Sequence, residues 1–336
     1  MKDIGIVGLP YSGKSTLFTA LTRTGSVGGR SNQAVVDVPD ERLGILAGME
    51  SSKKVVAAKV RFVDVPGGLT AQGIAEFRQT DALCIVVRAF GPDAKPVSEL
   101  SGVEAELILA DLANIESGLD KARKRARSQP EVKAEVEILE RCHEMLENEQ
   151  PLRDAGFDDD QQKLLRGYGP LTLKPWIVVA NVEEGGDLPE PVVSTTGQTK
   201  GLPEGAIAIS AALEAEVAGM ESDEANDLLT GFGIEEPGID RVVAQCYRAL
   251  DLITFLTTGE DETRAWEVRR GARAPEAAGV IHTDLERGFI RAEVCAYDDF
   301  IEAGGWDKAK AAGKLRVEGK DYEVKEGDIL NIRFAV

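Results

Sequence analysis

The chain has 336 residues, of which 58 are Asp or Glu and 39 are Lys or Arg, so its formal net charge is −19. That length predicts two or three domains, and a hydrophobic content of 43% excludes a wholly disordered chain. The acidic balance argues against a protein that coats nucleic acid by bulk charge. Any phosphate-rich partner must therefore be bound locally.

The cellular setting is indicated by what the sequence lacks. No run approaches the roughly 18 apolar residues that span a bilayer, and the N-terminal segment shows no signal-peptide cleavage pattern. The four cysteines form no C-x-x-C pair, which predicts reduced, mostly buried thiols. We expect a cytoplasmic protein without membrane contact and, with only two histidines, without a zinc site.

Five short apolar segments predict the strands of a parallel sheet. They lie at 4–7, 60–63, 83–87, 176–180 and 206–209. The segments are continuously apolar rather than alternating, and helical stretches separate them, which is typical of strands covered on both faces by helices. We therefore expect an α/β fold with a mostly parallel sheet.

Residues 101–170 have the spacing of an inserted helical hairpin. Apolar residues recur every three or four positions along 105–126 and again along 132–146, which predicts two helices that bury one stripe each. Ser128 and Glu131 have the spacing of a capping box at the start of the second helix. Five cations within 121–127 mark the predicted tip. They could bind RNA locally, or they could form a solvated helix face, the usual role of a charge run.

From about residue 253 the pattern changes to β-strands. Residues 315–318 and 322–324 flank a turn and predict a hairpin, and 329–334 alternates as a last strand. The predicted domains are 1–100 together with 171–252, the inserted hairpin at 101–170, and a C-terminal β domain at 253–336.

The strongest motif, G-x-x-x-x-G-K-S, runs from Gly8 to Ser15 between the first predicted strand and a helix. In that context it predicts a phosphate-binding loop, because glycines let backbone N–H groups point at phosphate oxygens and the helix N-terminus favours an anion. Lys14 is expected on the β- and γ-phosphates and Ser15 on Mg²⁺. An ordinary glycine-rich turn is the alternative, which the strand, helix and Lys-Ser pair together disfavour. The nucleotide-binding candidates of this segment are Gly8, Tyr11, Ser12, Gly13, Lys14, Ser15 and Thr16.

Asp64 and Gly67 follow the second predicted strand in the order Asp-Val-Pro-Gly. An Asp at this place can hold Mg²⁺, and the glycine N–H can meet a γ-phosphate. Alone the motif is weak, because the same residues form ordinary turns. Downstream of a phosphate loop, the functional interpretation is favoured.

Two later segments are candidates for the nucleotide base. Asn181, Val182 and Glu184 occupy the place of the N-K-x-D motif of G proteins, but Val and Glu replace its Lys and Asp. Loss of the two-bond acceptor is expected to cost much of the preference for guanine. Ser210 and Ala211 follow the fifth strand and are expected beside the base, although only their order and position support this.

These residues carry a resemblance to the YchF-type, Obg-related P-loop NTPases that covers most of the chain. Its most specific part is 274–294 with 326–328, which resembles the family's TGS domain, a small β-grasp module. The resemblance implies a cytosolic NTPase that uses Mg²⁺, binds ATP at least as well as GTP, and associates with the ribosome or ribosomal RNA. It implies catalytic roles for Lys14, Asp64 and Gly67, Mg²⁺ binding by Ser15 and Asp64, and base contact by Asn181 and Glu184.

Three departures from the family pattern affect the expected chemistry. Tyr11 stands where the family has an asparagine linked to monovalent-cation activation, and segment 25–32 lacks the family's Mg²⁺-binding threonine, for which Ser31 is a candidate substitute. Segment 68–73 is shortened, with Gly68 after Gly67 and no residue placed to orient water. Two functions stay open. One is a slow Mg²⁺-dependent ATPase or GTPase linked to ribosomes, and the other is a non-hydrolysing scaffold that binds ribosome or RNA through its helical and TGS-like parts.

Overall fold

The computed structural model describes residues 1–22, 32–65, 67–193 and 199–335. Its strands are β1 (Lys2–Val7), β2 (Asn32–Asp37), β3 (Val55–Val56), β4 (Lys59–Asp64), β5 (Ala82–Arg88), β6 (Trp176–Asn181), β7 (Val192–Val193), β8 (Thr199–Lys200), β9 (Ile207–Ile209), β10 (Leu252–Thr257), β11 (Thr263–Arg269), β12 (Phe289–Ala296), β13 (Arg316–Glu318) and β14 (Asp328–Phe334).

The helices in the described part of the chain are α1 (Lys14–Leu21), α2 (Glu41–Glu50), α3 (Ala71–Phe77), α4 (Pro96–Ala126), α5 (Lys133–Glu147), α6 (Asp159–Arg166), α7 (Ala211–Val217), α8 (Ser222–Gly231), α9 (Gly238–Ala249), α10 (Ala274–Ile281), α11 (Thr283–Arg287), α12 (Tyr297–Ala303) and α13 (Trp306–Ala311). Single 3₁₀ turns lie at Pro130–Val132, Leu152–Ala155 and Leu171–Leu173.

All five strands predicted from apolar runs lie in one six-stranded sheet of order β2-β4-β1-β5-β6-β9. Neighbours β1 and β5, β5 and β6, and β6 and β9 are parallel. The carboxyl ends of these strands therefore meet at one edge, where ligands of such sheets bind. The predicted α/β fold is confirmed.

Both faces of this sheet are buried. Ile85 and Val178 pack in one cluster with Phe77 of α3 and with Val103 and Leu107 of α4. Residues that alternate with them along the strands, such as Cys84, Val86 and Val179, face the other way and are also fully buried. This double burial explains why the strands appear in the sequence as continuous apolar runs.

The predicted helical hairpin is confirmed by α4 and α5, which share a buried cluster that includes Ile115, Leu119 and Leu139. The capping box expected at Ser128 is wrong. The Ser128 hydroxyl donates to the carbonyl of Arg125 at 3.3 Å, and a 3₁₀ turn precedes α5. Ser128 therefore satisfies a carbonyl at the end of α4 rather than an N–H at the start of α5.

The C-terminal strands form a second six-stranded sheet of order β13-β12-β14-β10-β11-β3. Alanines of α10 pack on it beside Phe255 and Val294, and the resulting β-grasp fold agrees with prediction, as does the last strand, β14.

The predicted hairpin between 315–318 and 322–324 is wrong. Its turn is present, since Tyr322 N donates to Gly319 O at 3.3 Å. However, β13 pairs with β12, and Glu323 forms an isolated bridge with Arg273. Val324 buries its side chain in the domain core. Residues 322–324 therefore contact a segment that is distant in the sequence rather than pairing with β13.

The described chain divides into two compact units. The larger contains 2–36 and 61–242, and the smaller contains residue 1, 37–60 and 243–336. Segment 37–60 belongs to the smaller unit through β3, which pairs with β11. The three-part division expected from the sequence stays a prediction. The four cysteines all lie among the described residues, are buried and form no disulfide. Among the same residues no helix has the length and apolar character of a membrane span.

Candidate nucleotide site

The loop after β1 passes so close to β5 that only glycine fits at its start. A Cβ on Gly8 would lie 2.4 Å from the carbonyl oxygen of Val86 and 2.7 Å from Ser12 Oγ. Ser12 is fully buried beneath the loop, and its N–H donates to Leu9 O at 3.3 Å. The loop is therefore shaped by packing against the sheet.

A cavity of about 470 Å³ opens at the phosphate end of this loop. Its lining includes predicted site residues from two segments, namely Gly8, Lys14, Ser15, Asp64 and Gly67. The structure thus brings together the phosphate loop and the end of β4. Ser31, the candidate substitute for the family's threonine, lies outside the described residues.

Lys14 and Asp64 bring opposite charges to this cavity. The Lys14 ammonium donates to the carbonyl of Leu9 at 2.8 Å, and burial lowers the Lys14 pKa, partly opposed by the carboxylates of Asp64 and Glu99. Burial also raises the Asp64 pKa, partly opposed by Lys14 and by a hydrogen bond from Asn32. Both charged groups have therefore lost part of their solvation by water. A ligand that brings an anionic group to Lys14 and a cation to Asp64 would compensate for this loss.

The oxygen donors at this end suit a divalent cation. The Ser15 hydroxyl and the Asp64 carboxylate line the same cavity, and hydroxyl and carboxylate oxygens are the ligands that Mg²⁺ takes alongside nucleotide phosphates. The chemistry of these two side chains therefore fits the metal that the fold family implies.

The turn after β4 is compact and rich in glycine. Gly67 and Gly68 have φ angles of 84° and 57°, and a Cβ on Gly73 would lie 1.8 Å from the carbonyl oxygen of Gly68. Thr70 then caps α3 by accepting from Gly73 N at 3.3 Å. As a result of this turn, Gly67 lines the same cavity as Gly8, Lys14 and Ser15 of the phosphate loop.

A second cavity, of about 760 Å³, lies at the base end of the loop. Its lining includes the predicted residues Tyr11, Gly13, Thr16, Asn181, Val182, Glu184 and Ser210. Three chain segments that are far apart in sequence therefore converge here, as the ends of parallel strands should.

One amide side chain ties these segments together. Asn181 Nδ2 donates to the carbonyl of Ser12 at 3.1 Å, and its Oδ1 accepts from Ala211 N at 2.9 Å. Gly13 permits this approach, because a Cβ there would lie 2.1 Å from Asn181 Nδ2. Asn181 is buried and keeps one N–H for a ligand.

Two predicted binding residues line neither cavity. Ser12 and Ala211 are fully buried and take part through the backbone groups that Asn181 holds, whereas the neighbouring Ala212 lines the base-end cavity. Ser210 caps α7 by accepting from Leu213 N at 3.4 Å.

Sequence reasoning missed several cavity residues. Arg88 and Phe90 line the base end, and Glu183 holds their loop by accepting from Gly91 N at 3.0 Å. A signal was available, because Arg88 and Phe90 lie at the carboxyl end of a predicted strand. Glu106 of α4 lines the phosphate end, and no local pattern could have shown this.

Comparison with protein families identifies two parts of the chain. A model described as a 50S ribosome-binding GTPase matches residues 3–181, more than half of the chain. A model of the C-terminal domain of YchF GTPases, described as a protein of unknown function, matches residues 252–335. The chain belongs to the YchF family of P-loop NTPases.

Full-length relatives agree with this assignment. The chain is 43% identical to the ribosome-binding ATPase YchF of Haemophilus ducreyi, with 99% of each chain covered. It is 39% identical to the protein of the same name from Bacillus subtilis, again with 99% of each chain covered.

The solved structure of the Schizosaccharomyces pombe YchF GTPase matches with a TM-score of 0.83 at 30% identity, covering 99% of this chain and 97% of that one. The resemblance drawn from the sequence is thus confirmed, together with the P-loop fold and its C-terminal β-grasp part.

Proposed function

We propose that this YchF-family protein binds ATP or GTP across its two cavities, hydrolyses it slowly with Mg²⁺, and links the cycle to ribosome binding in the cytoplasm. The convergence of the phosphate loop, Asp64 and the Asn181 segment on one edge of the sheet carries this proposal. Support comes from the relatives, which are named ribosome-binding ATPases in bacteria and a GTPase in yeast.

The phosphate end would use preformed backbone and one lysine. The loop from Gly8 to Ser15 offers N–H groups to phosphate oxygens, and Lys14 would exchange the carbonyl of Leu9 for a phosphate, a stronger acceptor. Ser15 and Asp64 would hold Mg²⁺, which supplies charge neutralisation at the β- and γ-phosphates. Gly67 lies at the same cavity, with its N–H as a donor for the γ-phosphate.

Slow turnover is expected because the described residues of the turn after Asp64 offer no free polar side chain to orient the attacking water. Phosphoryl transfer depends on positioning the nucleophile and stabilising charge. Of the described residues after Asp64 in this turn that line the phosphate end, Val65, Gly67, Gly68 and Leu69 have no polar side chain, and the Thr70 hydroxyl caps α3. Water therefore attacks the γ-phosphate without a fixed side-chain partner from this turn.

The base end would tolerate adenine. Glu184 is exposed at the cavity and is one methylene longer than the aspartate that reads guanine in G proteins. Val182, in place of the usual lysine, is buried. Asn181 can still donate one hydrogen bond to either base, so ATP should bind at least as well as GTP.

A scaffold without turnover is the alternative, favoured by the same lack of a water-orienting side chain in the described turn after Asp64. Phosphate release and binding of radiolabelled ATP should be measured together for wild type, Lys14→Ala and the exposed control Lys163→Ala. We expect release above the Lys14→Ala level in wild type and in the control. Tight ATP binding with release no faster than that of Lys14→Ala would establish the scaffold instead.

The ribosome contact is proposed at the hairpin tip. Arg123 pairs with Glu140 and Arg125 with Glu135, each at 2.8 Å. Three further exposed cations of the cluster have no ion-pair partner among the described residues, namely Lys121, Lys124 and Arg127. On an otherwise acidic protein, these unpaired cations form a local positive patch that could bind the phosphate backbone of ribosomal RNA.

Ribosome co-sedimentation across a salt series tests this contact. Reversal of the three unpaired cations to Glu should abolish salt-sensitive pelleting. Reversal of three exposed lysines of the smaller unit, Lys308, Lys310 and Lys320, makes the same charge change and should leave most pelleting intact. Unchanged pelleting after the first reversal would show that the cluster only solubilises the hairpin.

A further inference from the structure

Tyr11 has an unusual conformation for its residue type. Its φ angle is 66°, and its side chain is 90% exposed. It is one of four non-glycine residues with positive φ among those the structure describes, and the only one of the four that is aromatic.

The fold gains nothing visible from this side chain. A left-handed backbone is sterically unfavourable for a residue with a Cβ, whereas glycine adopts it without steric strain. Within the described part of the chain, the ring of Tyr11 has no aromatic partner and its hydroxyl no hydrogen bond. Strain without compensating contacts at a binding site points to a role with the ligand.

The position of Tyr11 indicates which part of the ligand it would meet. It lines the base-end cavity beside Gly13 and Thr16 of the phosphate loop, with Glu184 and Ser210 in the same lining. Phosphates bind along the loop and the base at the Asn181 segment in the proposed function. The sugar joins these two groups, so a side chain from the middle of the loop would meet the sugar.

We propose that the ring of Tyr11 packs over the ribose of the bound nucleotide and slows its release. This inference rests on the proposed function. An exposed aromatic ring gains buried area by packing on the sugar and shields the adjoining phosphate contacts from water. Because ATP and GTP share the same sugar, the ring should slow the release of adenine and guanine nucleotides equally.

The test is the release of radiolabelled ADP and GDP in a chase with unlabelled nucleotide, which avoids dyes attached to the sugar. Tyr11→Ala keeps the Cβ and removes the ring, and it should release both nucleotides about tenfold faster, the effect of about one aromatic contact. Tyr11→Phe keeps the ring and should release both at close to the wild-type rate.

Tyr11→Gly separates ring loss from misfolding. It removes the strained Cβ, so the nucleotide-free protein should melt at a higher temperature while release is as fast as in Tyr11→Ala. Glu149→Gly is the matched control, because Glu149 has a φ of 56° on an exposed helix end. That control should raise the melting temperature without changing release.

The outcomes separate the two proposals. If wild type binds ADP but Tyr11→Ala and Tyr11→Gly release it at the wild-type rate, the ring does not pack over the ribose, and the proposed function still stands. Wild type that binds neither ADP nor GDP would overturn both. An effect on ADP alone would assign Tyr11 to the base, and fast release from Tyr11→Phe would assign the effect to the hydroxyl, so each contradicts a ring over the sugar.

Discussion

Replacing Asn181 with alanine should loosen the nucleotide site even without nucleotide. In the wild type, Asn181 donates to Ser12 O at 3.1 Å and accepts from Ala211 N at 2.9 Å. These bonds tie the phosphate loop to the turn after β9. Alanine removes both bonds and leaves a buried carbonyl and a buried N–H without their partner.

The magnitude follows from these two groups. A typical intramolecular hydrogen bond contributes about 1 kcal/mol net, and each buried group left unsatisfied costs about 1–3 kcal/mol. We expect the opening free energy of the surrounding segments to fall by about 2–4 kcal/mol. At about 1.4 kcal/mol per tenfold, that is roughly 30- to 1,000-fold faster amide exchange.

Hydrogen exchange read by mass spectrometry suits this test, because it reports each segment separately in a protein with two compact units. The peptides to follow cover β6 and the phosphate loop. Asn148→Ala is the matched control, since the amide of Asn148 donates to Glu144 O at 2.7 Å on an exposed helix end. It should change exchange by less than about threefold, as surface substitutions usually do.

Asn181→Asp refines the result, because a carboxylate can accept from Ala211 N but cannot donate to Ser12 O. We expect it to be at least as disruptive as alanine. If Asn181→Ala left exchange of both peptides within threefold of wild type and ADP affinity unchanged, the amide would not hold the segments together, and the geometric basis of the site would be refuted.

Three further predictions concern charge, packing and ion dependence. Burial raises the pKa of Asp64 above its ordinary value of 3.8. The stability contributed by protonation of Asp64 is therefore fully present below pH 3.8 and is lost as the pH rises through the pKa of the folded state. Nucleotide-free Asp64→Asn should therefore melt above wild type at pH 7, with the difference vanishing in acid, yet lose Mg²⁺-dependent ATP affinity in calorimetry. In α4, a Cβ on Gly118 would lie 2.4 Å from the Tyr168 ring, whereas Gly102 has nothing nearer than 3.7 Å. Gly118→Ala should cost about 1–3 kcal/mol and Gly102→Ala gain about 0.5–1 kcal/mol in denaturant titration, and equal costs would contradict the packing described. With Tyr11 in place of the family's asparagine, phosphate release should be the same in potassium and sodium chloride, and stimulation by potassium alone would contradict this.

The sequence was sufficient for the parts of the fold that have a local or strongly periodic signal. Strands buried on both faces appear as apolar runs, and the phosphate loop has a motif whose spacing reflects its backbone path. The hairpin at 315–324 failed because its turn is local but its strand partner, β12, is not. Likewise β3 has two residues, too few to give a periodic pattern.

The sequence also predicted much of the candidate site, as it did for the fold. Residues that follow predicted strands, such as Asp64 and Asn181, lie at the cavities as expected. The sequence did not show that Asn181 bridges two loops, or that Glu106 approaches from the long helix, because both depend on how distant segments pack. It also gave no hint that Tyr11 has a positive φ, since the residue type disfavours that conformation.

The central claim is an adenine-tolerant nucleotide site built on the phosphate loop and the Asn181 segment. Calorimetric titration of the purified protein with ATP, GTP and their diphosphates in Mg²⁺ tests it most directly, with Lys14→Ala as the variant that should lose triphosphate binding. We predict that ATP binds at least as tightly as GTP and that both compete for one site. A strong preference for GTP, or ATP binding that survives Lys14→Ala unchanged, would contradict the account.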